Sequence, residues 1–414
     1  VKTARRHYVV ALTFVAAFVA YTDRVNISVA AVAMKEDLGW SQTEKGYVLS
    51  AFFVGYMLFL AATGWLAQKY GGKIVLGAAV VAWSAFTLVT PPAATHGLAT
   101  LIAARIAMGI GEAAMFPAVV ELYTRWVPAS ERARAMARVL SGIPLGTVVG
   151  LLVTGWIVGR FRWPMAFYAF GALGVVWAAL WLPVKNDPKD DPRVGPEERA
   201  LLTPPPAEKE EKISIWSVLR HKSVLAMMGA HFASNWTLYV LLAWLPSYFR
   251  DVQHISITSA GEMSAAPWLG MFLGTNVAAP ISDRMIARGA SVTRTRKLMQ
   301  AVGLLGSAAF LVAMRDVGTP LTAVALLCGA TFTLGFAWSG FAPNSLDLSP
   351  RHAAVIFGVS NTFATIPGIV GVAVTGWLVD ATGTYASAFV LTAAVSGVCM
   401  LAYAVAFDAK PITE

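Results

Sequence analysis

Residues 98–120 read LATLIAARIAMGIGEAAMFPAVV. As a helix rising ~1.5 Å per residue, this stretch is long enough to cross a bilayer core of ~30 Å. Two charges interrupt it, Arg105 and Glu112. Their seven-residue spacing puts them on one helical face, about two turns apart. Gly109 and Gly111 lie between them, and small residues let neighbouring helices approach closely. A charge at membrane depth costs roughly 2.5 kcal/mol or more, so it is usually paired or faces a wet cavity. The first apolar stretch offers partners in the adjacent Asp23 and Arg24. The rest of the chain reads as a scaffold around these four charges.

The composition supports that reading. Of 414 residues, 57% are hydrophobic and 13% charged, and a soluble domain carries about 25% charged residues. The mean hydropathy is +0.62. This is an all-α, polytopic membrane protein embedded in a lipid bilayer. The formal net charge of +9 does not imply nucleic acid, because the basic residues cluster in short loops between apolar spans. Cys328 and Cys399 lie inside apolar spans and read as buried free thiols, with no metal site implied. No Walker loop, dinucleotide fingerprint or metal-ligand cluster appears, so no cofactor is expected. The opening VKTARRHY runs straight into a span too long for a signal-peptide core, which predicts an uncleaved first helix.

Twelve spans are expected, at 8–31, 45–67, 73–92, 98–120, 135–158, 163–184, 222–249, 258–281, 297–314, 319–341, 353–379 and 385–407. An even count puts both termini on one side. Lys2, Arg5, Arg6, Lys69, Lys73, Arg125, Arg132, Arg134, Arg284, Arg288, Arg294, Arg296 and Lys297 all fall on that side, predicting cytoplasmic termini. Arg160 and Arg162 are exceptions on the opposite side. Residues 185–212, rich in Pro and charge, read as a flexible cytoplasmic linker between six-helix halves at 1–184 and 213–414. The halves look duplicated: Val153-Thr154-Gly155-Trp156 recurs as Val374-Thr375-Gly376-Trp377, and Gly150 meets Gly371 at the same offset. Two parallel, pseudo-symmetric six-helix halves form a known transporter plan.

Helix rise places Asp23 and Arg105 at similar depth, ~22 Å from the inner face and ~10 Å from the outer face. Asp23, Arg24 and Arg105 can therefore meet, with Glu112 deeper. One reading is a fixed salt bridge locking spans one and four. The other has the arginines bind an anionic substrate while the acids exchange protons, since an Arg fork matches carboxylate or phosphate. Tyr21 lies one turn from Arg24, and Tyr56 and Tyr239 occupy spans two and seven. His231, Asn235 and Tyr239 form a polar stripe on one face of span seven, and Asn361 is a similar position in span eleven. A Tyr in a membrane span is more often packing or an interface anchor, Tyr21 being favoured for the cavity by its nearness to Arg24, while the span-seven stripe and Asn361 read as packing or as cavity lining.

The order and spacing of several stretches resemble the anion:cation symporter family of the major facilitator superfamily. They are DRVNISVA (23–30), GWLAQKYGGK (64–73), RIAMGIGEAAMFPA (105–118), RWVPASERARA (125–135), HFASNW (231–236), WLPSYF (244–249), TRKLMQAVGLLG (295–306) and SNTFATIPG (360–368). The family includes sialin, vesicular glutamate transporters, plant plastid anion and phosphate transporters, and bacterial sugar-acid permeases. The resemblance implies that Arg24 and Arg105 bind the anion, that Glu112 is the principal proton-coupling acid, and that Asp23 is a second. It also implies cavity positions at Tyr21, Tyr56 and Asn361, and it matches His231, Asn235 and Trp236 to the sialin and plastid branch. Two positions depart from the pattern. Gln68-Lys69 stands where the superfamily's loop motif commonly has Asp-Arg, and Ile143 stands where several sugar-acid permeases have Gln.

These readings together predict a non-enzymatic, monomeric secondary transporter in a bacterial inner membrane. It would move a small organic anion, a carboxylate, with protons by alternating access. The alternative on the same fold is an inorganic phosphate or anion uniporter, or a Na⁺-coupled transporter.

Overall fold

The computed structural model describes residues 4–202 and 219–412. Residues 203–212 of the expected linker, including Pro204, Pro205 and Pro206, lie outside the described residues. The described chain is helical. In order, the helices are α1 (Arg5–Leu38), α2 (Gln42–Tyr70), α3 (Gly72–His96), α4 (Leu98–Glu112), α5 (Met115–Trp126), α6 (Ala129–Arg160), α7 (Pro164–Trp181) and the short α8 (Pro196–Leu201). Then follow α9 (Lys222–Asp251), α10 (Ile257–Ala287), α11 (Val292–Ala313), α12 (Pro320–Phe341), α13 (Asn344–Leu348), α14 (Ala353–Phe363), α15 (Ile366–Thr382) and α16 (Ala386–Ala406).

Among the described residues, nine runs are long and apolar enough to cross a membrane, and α2 makes a tenth as a bent pair of segments. Helices α9 and α10, of 30 and 31 residues, have the length but a more polar composition. This pattern is consistent with twelve spans. The physical reason for the polarity of α9 is its surroundings. It packs against α10, α14, α15 and α16, and it is buried along nearly its whole length. A helix enclosed by protein can hold His231, Asn235, Thr237 and Ser247 where neighbouring groups satisfy them, whereas a lipid-facing helix cannot. The same contrast separates α1, with 67% of its apolar window buried, from α6 and α16, with 33% each.

The helices gather into two compact units. Unit 1 comprises Val1–Ala33 and Ala51–Glu210, and unit 2 comprises Met34–Ser50 and Glu211–Glu414. Within unit 1, α3 packs on α4, α5 and α7. Glycine decides the closest crossing: a Cβ on Gly109 would fall on the Phe52 carbonyl, and one on Gly55 on the Ile106 carbonyl. The α2–α4 approach therefore requires glycine on both helices. The repeated glycines also behave alike. A Cβ on Gly150 would strike Val25 and Thr22 of the first span, and one on Gly371 would press on Trp236 of the seventh.

Span four is not one continuous helix. A turn at Ala113–Ala114 separates α4 from α5, directly after Glu112. Pro117 causes it, having no N–H to give the Ala113 carbonyl. That carbonyl instead meets the Thr63 hydroxyl at 3.4 Å. Span eleven breaks in the same way before Pro367, between α14 and α15.

The first part of the linker is more than a tether. Asp191 takes a bond from Arg5 at 3.2 Å, and Glu198 accepts the backbone N–H groups of Arg5 and Arg6 at 2.9 and 2.8 Å. Glu198 thereby caps the start of α1, where a helix leaves its N–H groups unpaired and favours negative charge. In unit 2, the segment 34–50 is held by carboxylates. Asp380 accepts the Gln42 and Thr43 N–H groups at 3.1 and 2.7 Å and the Thr43 hydroxyl at 2.6 Å. Asp251 takes the Gln42 side chain at 2.9 Å, and Lys45 reaches Ser247 at 2.9 Å.

Candidate functional site

The four membrane charges converge in unit 1. Arg24 Nε donates to Glu112 Oε1 at 2.9 Å, and Arg24 Nη2 makes a shorter bond to the same oxygen. Both side chains are almost fully enclosed, at 7% and 1% exposure. Glu112 Oε2 has no hydrogen-bond partner among the described residues. The Arg24 guanidinium sits in an aromatic box, 4.5 Å from the Tyr21 ring centre, 4.8 Å from Phe52 and 5.2 Å from Tyr56. Its Nη1 lies 3.5 Å from the Tyr21 hydroxyl. Such faces attract a cation while leaving its in-plane donors free for an oxyanion.

Arg105 is held differently. It is 1% exposed, its Nη1 contacts the Met108 sulfur at 2.9 Å, and Phe52 lies 5.6 Å from its guanidinium carbon. A thioether is a weak acceptor. Arg105 Nε has no hydrogen-bond partner among the described residues. This buried guanidinium therefore has unused donor capacity.

Asp23 is fully buried and faces Trp83 and Thr87, with Arg105 and Glu112 within electrostatic reach. Among the described residues, neither its oxygens nor Trp83 Nε1 completes a hydrogen bond of good geometry. Formally the cluster is neutral, with two arginines and two carboxylates.

Side-chain direction explains the pairing. Helical side chains lean toward their own N-terminus. Successive membrane passes run in opposite directions, so Arg24 on α1 leans toward the level of Glu112, while Arg105 on α4 leans away from it. The depth estimate that set Glu112 below the other three groups misses the reach of the Arg24 side chain.

In unit 2 the predicted polar stripe divides. His231 is buried, with its Nδ1 3.0 Å from Ser360 Oγ. It stacks on Phe341 and Phe357 at 4.4 and 5.7 Å between ring centres. Asn235 is also buried, and its amide donates to the Ala364 carbonyl at 2.8 Å. That carbonyl is free because the Gly368 N–H turns to Thr365 instead, at 2.9 Å. The proline break in span eleven and Asn235 in span seven therefore belong to one arrangement. Tyr239 and Asn361 are half-buried.

Sequence reasoning missed Phe52, which lies under both arginines, and Trp83, Thr87 and Met108 around Asp23 and Arg105. One signal was available: Phe52 precedes Tyr56 by four residues and so shares its face of α2, with ring centres 5.9 Å apart.

The family model for the Major Facilitator Superfamily matches residues 13–372. The chain belongs to the major facilitator superfamily. It is 39% identical over 379 residues to the Sodium-dependent phosphate transport protein 1, chloroplastic, of Arabidopsis thaliana, covering 91% of this chain and 74% of that protein. The Ascorbate transporter, chloroplastic, of the same plant is also 39% identical, covering 91% and 70%. Human sialin is 31% identical over 429 residues, covering 94% and 87%. Among solved structures, a bacterial homolog of the human lysosomal transporter Spinster, inward-facing and unoccupied, matches with a TM-score of 0.78 at 18% identity, covering 98% of each chain. The expected resemblance to sialin and the plant plastid anion transporters is thus observed. The chain is an integral multi-pass transporter of this superfamily, related to anion transporters, and is not an enzyme.

Proposed function

We propose that the chain is a proton-coupled symporter of a small organic anion and that the α1–α4 cluster is where anion and proton meet. The observation that carries this reading is Arg105, a buried guanidinium near Asp23 and Glu112 whose only side-chain hydrogen-bond contact among the described residues is a thioether sulfur. A buried charge left so weakly satisfied is costly unless a ligand completes it. Arg24 supplies a second fork, and Tyr21 and Tyr56 flank it.

Charge balance supports the proton. The empty cluster is formally neutral, so a monovalent anion brings it to minus one. Protonating Glu112 or Asp23 restores neutrality in a poorly solvated site. Protonated Glu112 also holds Arg24 less firmly, which frees the fork for the substrate. Anion and proton therefore favour each other's binding, as linkage requires of coupled ligands. Tyr239 and Asn361 are proposed as further substrate-facing positions, and the buried His231 and Asn235 as positions that shape the site through the packing they order. The basic loops support cytoplasmic termini.

The relative named for sodium-dependent phosphate transport favours a second reading, phosphate taken up with Na⁺. Proteoliposome uptake separates the two. A carboxylate accumulated under an inside-alkaline pH gradient, with no Na⁺ present, is the outcome expected here. Phosphate accumulation that follows a Na⁺ gradient and ignores the pH gradient would establish the second reading and refute the first.

A further inference from the structure

A cavity of about 90 Å³ opens beside the N-terminal end of α1, remote in sequence and depth from the Asp23–Glu112 cluster. Its polar lining is Arg6, His7, Glu131, Arg134 and Arg138, over an apolar floor that includes Val10 and Val127. We propose that this cavity is a binding site for a phosphate group.

The argument starts from which charges are already used. Arg6 is committed: Nε and Nη2 hold Glu131 at 3.0 and 3.2 Å, and Nη1 reaches Glu198 at 3.4 Å. Arg134 and Arg138 form no ion pair among the described residues, and both are exposed. They are four residues apart on α6, so two like charges share one face, an arrangement that disfavours the helix. An oxyanion bridging them would turn that repulsion into two charge-assisted contacts. His7 can add a third donor. Even with Glu131 and Glu198 both counted, three arginines exceed two carboxylates.

Position and size narrow the ligand. Helix α6 has 32 residues, about 48 Å at 1.5 Å per residue, which exceeds the ~30 Å hydrocarbon core. The excess falls at its first turns, because Arg132, Arg134 and Arg138 are too costly for the hydrocarbon core, which sets these turns at the level of the lipid phosphates. A volume of about 90 Å³, against the ~10–15 Å³ that one water needs on the same measure, leaves room for a tetrahedral oxyanion. The phosphate can come from a lipid headgroup or from solution, with the same chemistry of recognition.

The test uses the full chain and follows its thermal midpoint with two probes. One is inorganic phosphate in neutral detergent. The other is reconstitution into phosphatidylcholine nanodiscs with or without phosphatidylglycerol. The parent should show a saturable rise with at least one probe. Arg134→Gln/Arg138→Gln should lose that rise, Arg134→Lys/Arg138→Lys should keep part of it, and Arg105→Lys should keep it in full. A response to phosphatidylglycerol alone assigns the lipid headgroup, and a response to inorganic phosphate alone assigns the free ion. No response to either probe overturns the proposal, as does a rise that survives in the double Gln variant. A rise lost in Arg105→Lys but kept in the double Gln variant also overturns it, placing the phosphate at the membrane cluster instead.

Discussion

Replacing Glu112 with Gln removes one negative charge from a site where Arg24 gives two hydrogen bonds to a single carboxylate oxygen. Removing one partner of a buried pair typically costs about 3–5 kcal/mol, because the other charge is left uncompensated. Gln keeps a neutral acceptor near Oε1, and a hydrogen bond to a charged donor is worth about 1.5–3 kcal/mol. The aromatic box around Arg24 is untouched. The net loss of stability should therefore be ~1–3 kcal/mol, small enough for the variant to fold. The cluster passes from formally neutral to plus one, so a monovalent anion should bind at least tenfold more tightly, the equivalent of about 1.4 kcal/mol. Its binding should also vary less with pH than the parent's. In proteoliposomes each coupled proton supports about tenfold accumulation per pH unit, again about 1.4 kcal/mol. The variant should exchange substrate across the membrane and yet show no accumulation under a pH gradient. Accumulation at the parental level would refute the reasoning and make Asp23 the leading coupling acid.

Arg105→Lys keeps the charge but loses the planar fork and the stacking on Phe52, so transport should fall by about a hundredfold with the fold intact. Uptake within a few-fold of the parent would count against Arg105 as the anion's anchor. Asp380→Ala strips the cap from the start of α2, worth about 1–2 kcal/mol. Hydrogen exchange at residues 42–46 should then accelerate about tenfold, and unchanged protection would show that the cap carries no local stability. Burial alone would raise the Asp191 carboxyl, but hydrogen bonds from the Arg193 side chain and backbone and from Arg5 outweigh it and hold it below the usual carboxylate range. Its contribution is therefore complete above the unfolded value of about 3.9 and is lost as pH falls through the lower folded value. Residues 188–202 should resist proteolysis equally from pH 5 to 8 in the parent and be cut readily in Asp191→Asn. A parent that loses resistance near pH 6 would contradict this sign.

The sequence by itself determined the membrane class, the all-helical fold and the helices that carry the charges. Each of those follows from local composition: an apolar run must be long enough for the bilayer, and a charge inside it must be paired or wet. It also marked Gly109, whose lack of a side chain the α2–α4 crossing does require. The tertiary structure decided who meets whom. Arg24 pairs with Glu112 rather than with its neighbour Asp23, because adjacent residues on a helix point in different directions and side chains lean toward the helix N-terminus. Asn235 caps a carbonyl freed by a proline break in another span, and no periodicity in its own helix reports that contact. Residues 34–50 group with unit 2, and 188–202 fasten to α1, through carboxylates placed hundreds of residues away along the chain in some cases. Sequence pattern reports the environment of each helix face. Helix rotation and packing, which are non-local, select the partner that a buried charge finds there.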